Sequence, residues 1–182
     1  QISGANLNFR DAPYYTLGIY TTKSKVVTLS IKNDTLYAGT AVGIAYARIT
    51  NNNLNNPASW ANYSSSPFGL NIKSSEVVGT KVFFCSETGM GYFENGGWVP
   101  NPNPATTGKN VIDIRRGGNN LYYIVNNTIY VSSVDNLNTG SIYGPSDSYL
   151  SLGVDNAGGR RAGVYEKGLM VQSGSSQFEY IF

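Results

Sequence analysis

The sequence predicts an all-β protein: a β-propeller with four four-stranded blades visible, forming part of a larger propeller. Three observations predict this. A strand, a tight turn and a second strand recur four times, at Leu36–Tyr46, Val82–Tyr92, Leu121–Val131 and Arg161–Val171. The steps between copies are 46, 39 and 40 residues, the period of one propeller blade. No segment sustains the 3.6-residue apolar period of a helix.

Taken in order, residues 1–25 read as the end of a preceding blade, with Asn6-Leu7-Asn8 as a turn and Tyr14-Tyr15 in a last strand. A strand that closes a four-blade ring is the alternative. Repeat one covers about 26–66. Val26–Ile31 alternates and is rich in β-branched residues, a strand signal. Lys32-Asn33-Asp34 is a turn, Leu36–Thr40 and Ile44–Ile49 are strands, and a fourth strand carries Trp60 and Tyr63. Repeat two covers about 76–100, with strands at Glu76–Val78, Val82–Cys85 and Met90–Phe93. Asn95-Gly96 supplies the positive φ angles of a short hairpin before Trp98. Asn101–Lys109, with its prolines, is a connecting loop. Repeat three covers about 111–143: Val111–Ile114, a turn at Gly117–Asn120, strands at Leu121–Val125 and Ile129–Val131, and a turn at Asn136-Leu137-Asn138 before Tyr143. Repeat four covers about 149–182, with its first turn at Asp155–Gly159. A single sheet has two faces to bury, and packing copies radially buries both. Trp60, Trp98, Tyr143 and Phe178 are expected to fill the spaces between blades.

The "apolar-Tyr-Ala-Gly-Thr, two residues, Gly-Ile" run at Leu36–Ile44, with a Trp closing the unit, resembles the repeats of bacterial two-component-regulator propellers. It is also similar to the propeller portion of the Por (type IX) secretion-system proteins of Bacteroidetes. The resemblance covers about residues 26–182, is weaker at Ser86–Met90 and Glu166–Leu169, and lapses at Thr128, which stands where the glycine falls elsewhere. It implies a cell-envelope or extracellular propeller that binds something, often as one module of a larger protein. A more distant resemblance is to the Asp-box propellers of sialidases and related glycosidases. Their Ser-x-Asp-x-Gly-x-x-Trp turn is absent from Asn53–Trp60 and Asn95–Trp98.

Composition narrows the chemistry. Charged residues make 13% of the 182, the net charge is +2 and no basic run occurs, so nucleic acid is not an expected partner. With no histidine, Ser-His-Asp triads and imidazole metal sites are excluded. The single cysteine, Cys85, is expected as a small buried hydrophobe. No Asp-x-Asp cluster suits calcium, so neither metal nor cofactor is expected. No apolar run reaches the roughly 20 residues of a membrane span. The charge-poor composition, rich in Gly, Ser, Thr, Asn and Tyr, leads to the expectation of an extracytoplasmic protein (periplasmic, outer-membrane-associated or secreted), and the start at Gln1 rather than Met to the expectation that what came before has been removed.

Candidate ligand-binding residues fall in two groups. The second-to-third-strand turns hold Glu87, Asn126, Asn127, Glu166 and Lys167, with Phe68, Lys73, Asn101, Lys109 and Asp147 in loops on the same face. On the opposite face Arg115-Arg116 and Arg160-Arg161 are expected in first-to-second-strand turns, where four guanidiniums would converge on a carboxylate or phosphate. Asp113, mid-strand, is expected to face the central channel. The expected function is a non-catalytic binding or scaffold module of a secreted or envelope bacterial protein, joined to other blades or domains, with a protein or glycan ligand. A lectin-like glycan-binding propeller and a glycosidase or lyase propeller are the alternatives. The last would need two carboxylates about 5–10 Å apart.

Overall fold

The computed structural model describes residues 16–20, 25–50, 52–68, 71–154, 159–172 and 177–181. Asn6-Leu7-Asn8, Tyr14-Tyr15 and most of the Asp155–Gly159 turn lie outside them. The described residues form sixteen strands in four antiparallel sheets, each a simple meander. Blade 1 comprises β1 (Val26–Lys32), β2 (Thr35–Thr40), β3 (Gly43–Arg48) and β4 (Ala61–Tyr63). Blade 2 comprises β5 (Ser74–Val78), β6 (Lys81–Ser86), β7 (Gly89–Glu94) and β8 (Gly97–Pro100). Blade 3 comprises β9 (Val111–Gly117), β10 (Asn120–Val125), β11 (Thr128–Ser133) and β12 (Asn136–Ile142). Blade 4 comprises β13 (Tyr149–Val154), β14 (Arg160–Val164), β15 (Gly168–Gln172) and β16 (Phe178–Ile181). One 3₁₀ turn, Pro57–Ser59, precedes β4 and is capped by the Asn56 side chain.

The repeat motif has a local physical cause. In blade 1 the buried Thr40 hydroxyl donates to the Gly43 carbonyl at 2.8 Å and accepts from Val42 N at 3.2 Å, bridging the turn. Ser86 does the same in blade 2, with the Gly89 carbonyl at 3.2 Å and Thr88 N at 3.1 Å. Gly43 and Gly89 take φ of 137° and 141°, which side chains rarely adopt. Blade 3 lacks both the hydroxyl and the glycine. There Asn126, at φ 52°, absorbs the turn instead.

Alternation sends opposite sets of residues to the two neighbours of each blade. Leu36 and Ala38 of β2 face away from blade 2, while Tyr37 joins Ile44, Phe68, Ile72, Val82 and Phe84 between blades 1 and 2. Phe83, Cys85 and Met90 meet Leu121, Tyr123 and Val125 between blades 2 and 3. Ile124 and Ile129 meet Ala162, Val164 and Met170 between blades 3 and 4. As expected, Trp98, Tyr143 and Phe178 pack into these spaces. Trp60 instead lies beside Leu17 and Tyr20 on the far side of blade 1, and its indole donates to the Leu54 carbonyl at 2.9 Å.

Nearer the axis the inner strands are joined by polar contacts. Ser75 of β5 bonds Thr28 and Ser30 of β1 at 2.6 and 2.7 Å. Arg115 of β9 donates to Ser74 at 2.7 Å. Asp113 of β9 accepts from Leu152 N of β13 at 2.8 Å. The expected channel-facing Asp113 is buried, held by this bond to β13 on one side and by Arg115 on the other.

The four sheets do not close on one another. Blade 1 packs on 2, 2 on 3 and 3 on 4. The outer faces of blades 1 and 4 keep apolar side chains in the open. Leu29 and Ile31 of β1 are 51% and 45% exposed, and Ile181 of β16 is 56% exposed beside its cross-strand partner Leu169.

Three expectations need correction. Asn136-Leu137-Asn138 is not a turn but the start of β12, with Leu137 buried between two outward-pointing asparagines. β9 runs through Arg115-Arg116 to Gly117, and β14 begins at Arg160, so all four arginines lie in strands rather than turns. Phe68 and Asn101 are buried beneath their loops instead of lining a rim.

Candidate functional site

The second-to-third-strand turns are knitted to the loops between blades. Exposed Glu87 accepts from Asn71 Nδ2 and from Lys73 Nζ, the latter at 2.9 Å, and Lys73 foremost holds its carboxyl below the usual range. Asn126 N donates to the Asn110 carbonyl at 3.1 Å, and the Asn127 carbonyl accepts from Asp147 N at 3.0 Å and Ser146 Oγ at 2.9 Å. Lys167 pairs with Asp147 at 2.9 Å and lies over the Tyr180 ring. The Tyr180 hydroxyl, Lys167 and Ser148 N together hold the Asp147 carboxyl down to about 2. Glu166 is exposed at φ 59°. Each of these turns fastens a blade to the loop leading into or out of it.

The arginines do not converge. Arg115 pairs with Asp113 at 2.9 Å and lies near Glu76, whose carboxyl burial raises and Arg115 partly restores. Arg116 donates to the Gly118 carbonyl at 2.9 Å. Arg160 is caged between Tyr122 and Tyr143, 4.9 and 5.3 Å from their ring centres, and donates to Gln172 Oε1 at 2.8 Å. Arg161 is exposed on β14. Cys85 is fully buried, and burial pushes its thiol well above the ordinary range. Among the described residues no group of three or more His, Cys, Asp or Glu is placed to hold a metal ion.

A different region offers room for a ligand. On the side of the first-to-second-strand turns, two adjoining hollows of about 260 and 320 Å³ lie between blades 1 and 2 and share Thr35, Tyr37 and Phe93. Register explains the floor. Tyr37 pairs with Tyr46, so both rings share the face turned to blade 2. Phe93 pairs with Val82 on the face turned to blade 1. The three rings meet with centroids 5.8 to 5.9 Å apart, Tyr37 and Tyr46 nearly parallel at 18°. Small residues at the periphery, Thr35, Ala61 and Gly96, leave the space above them.

The rim is polar and mostly uncharged. Asn33 and Asn95 sit at φ 51° and 50° in the turns on either side, both exposed, and Asn52 lies on the blade 1 side. The nearby carboxylates are occupied internally. Glu94 accepts from the Thr80 hydroxyl and from Lys81 at 3.3 Å; Thr80 foremost keeps its carboxyl low. Asp34 accepts from the Thr50 hydroxyl and backbone, which lower it likewise. Lys32 donates to the Gly79 carbonyl. Sequence reasoning missed this groove, because its halves come from different repeats. The signal present was the same-face pairing of Tyr37 with Tyr46.

Four-stranded antiparallel meanders packed in series around an axis define a β-propeller, here an unclosed arc of four blades. The extracellular domain of a protein described as a one-component system of B. thetaiotaomicron superposes with TM-score 0.70 at 15% identity, covering 88% of this chain and 23% of that one. PorZ, a surface component of the type-IX secretion system of Porphyromonas gingivalis, superposes with TM-score 0.62 at 17% identity, covering 88% and 21%. The WD40 propeller domain of Doa1 gives 0.65 at 11%, covering 88% and 54%. The likeness to bacterial regulator and Por propellers that the repeats carry is therefore present in the fold. The chain spans about a quarter or less of the length of the two bacterial proteins. No known family's sequence pattern matches it, and no curated protein matches it.

Proposed function

We propose that this chain is a non-catalytic binding and scaffold module, an arc of a larger extracytoplasmic bacterial propeller. The observation that carries the reading is the pair of unlike apolar end faces, Leu29 and Ile31 on blade 1 and Leu169 and Ile181 on blade 4. Each interior blade buries both faces, and burial of such side chains is worth about 25 cal/mol per Å². The end faces forgo that gain until further blades cover them. The extracellular and surface settings of the two bacterial neighbours support the location. The non-catalytic reading is supported by the internal engagement of Glu94, Asp34, Glu87 and Asp113 and by the burial of Cys85.

The test is the intact mass of the native protein together with its solution mass. A mass well above 19.6 kDa, with further propeller repeats in the added sequence, is the expected result. A native protein of 19.6 kDa that stays monomeric and binds no apolar dye overturns the reading.

A further inference from the structure

We propose that the groove between blades 1 and 2 binds a neutral oligosaccharide, resting on the binding-module reading above. Three features of the groove favour a sugar. Its floor is aromatic: Tyr46 and Phe93 are half-buried, so part of each ring stays open to the hollow, and Tyr37 lies beneath them. Aromatic faces take the apolar C–H face of a pyranose as they take other apolar surface. Its rim is built from side chains that both donate and accept. Asn33 and Asn95 have no side-chain hydrogen bond to any described residue, and Asn52 spends one donor on the Arg48 carbonyl at 3.2 Å. A carboxamide offers two donors and one acceptor oxygen, matching a ligand whose hydroxyls do both.

The third feature is charge. Glu94, Asp34 and Lys32 are turned to partners of the protein's own, which leaves Arg48 as the exposed charge of the lining. A site for an anionic glycan or a charged peptide would instead aim several like charges at the ligand. The combined hollow is of the size that holds small ligands, a few hundred Å³. Among the described residues of the blade 3–4 interface, Arg160 occupies the corresponding region between Tyr122 and Tyr143, and the hollow beside it is about 10 Å³.

The experiment uses the full native protein against two panels, followed by calorimetry and by tryptophan fluorescence, since Trp98 touches Tyr46 and Phe93. One panel is neutral gluco-, manno- and xylo-oligosaccharides of two to six units; the other is uncharged and acidic peptides. Asn33→Gly and Asn95→Gly remove the amides while tolerating the positive φ, and Tyr46→Leu removes a ring. Binding of at least one neutral oligosaccharide, weakened about tenfold or more by each Asn→Gly change, is the expected result. Melting temperatures confirm that these variants stay folded. Sugar binding unaffected by all three variants overturns the assignment of the groove. Peptide binding that the same variants abolish overturns the sugar assignment and leaves the binding module standing. No binding from either panel overturns the sugar assignment, while the native mass decides the larger-propeller reading separately.

Discussion

Asp113→Asn is expected to be costly although it changes one atom. The side chain is 6% exposed. Oδ1 accepts from Ile114 N at 2.9 Å and faces Arg115 Nη1 at 2.9 Å, and Oδ2 accepts from Leu152 N of the next blade at 2.8 Å. A carboxylate is acceptor-only, whereas an amide has one acceptor oxygen and one NH₂. Whichever way the new amide turns, its NH₂ confronts a backbone N–H. One charge-assisted bond is lost and one buried donor is left unpaired, a penalty of about 3 kcal/mol. The Arg115 partner is 37% exposed, so loss of the ion pair itself adds less than about 1 kcal/mol. For a chain of this length, about 3 kcal/mol lowers Tm by about 6–12 °C. Calorimetry measures this, with Asp135→Asn as the control. Asp135 is exposed, accepts from Asn119 at 2.7 Å, and should shift stability by less than about 0.5 kcal/mol. Hydrogen exchange locates the effect, since the Leu152 amide should lose protection before the rest of blade 4. If Asp113→Asn melts within about 2 °C of the parent and Leu152 stays protected, the bond between β9 and β13 does not hold the blades as argued.

Two other perturbations follow from packing and charge. Gly91→Ala puts a Cβ inside contact distance of Phe68 and 2.6 Å from the Val99 carbonyl, with no give on the backbone side; a loss of about 1–3 kcal/mol in urea unfolding is expected, and an unchanged midpoint would refute it. Asp147, held down to about 2 against an ordinary 3.8, contributes stability that is complete above about pH 4 and is lost as pH falls toward 2. Tm measured across that window should therefore drop more steeply for the parent than for Asp147→Asn, and parallel curves would count against the Tyr180–Lys167–Asp147 cluster.

Much of the architecture could be read from the chain because the device that makes each hairpin is short. Thr40 with Gly43, and Ser86 with Gly89, place hydroxyl, turn and positive φ within four residues. Asn136-Leu137-Asn138 misled because the Asn53-Leu54-Asn55 triplet does form a loop, held by Asn55 N on Asn53 Oδ1 at 3.0 Å, while in β12 the same letters alternate out-in-out. The arginine pairs stand next to glycine- and asparagine-rich runs of turn-like composition. Gly117 instead completes β9, pressed so close to Tyr122 and Val154 that a Cβ would lie 2.9 Å from each. The groove was hidden for a different reason: Tyr37 and Phe93 belong to separate repeats and meet only when blade 1 packs on blade 2.

The two end faces differ, and this gives the arc a polarity like that of a tongue-and-groove board. The contact between one blade and the next is heterologous, so a copy can be added at either end without using up the joint. Such a series stops in only two ways: it returns on itself, or something unlike a blade blocks an end. Leu17 and Tyr20 make a partial block. The Tyr20 hydroxyl reaches the Tyr63 carbonyl at 2.9 Å, and the segment covers Leu36 and Ala38 while leaving Leu29 and Ile31 bare. Chains held with both ends uncovered are therefore prone to string together end to end at high concentration, and ring closure is as much a guard against filaments as a source of stability.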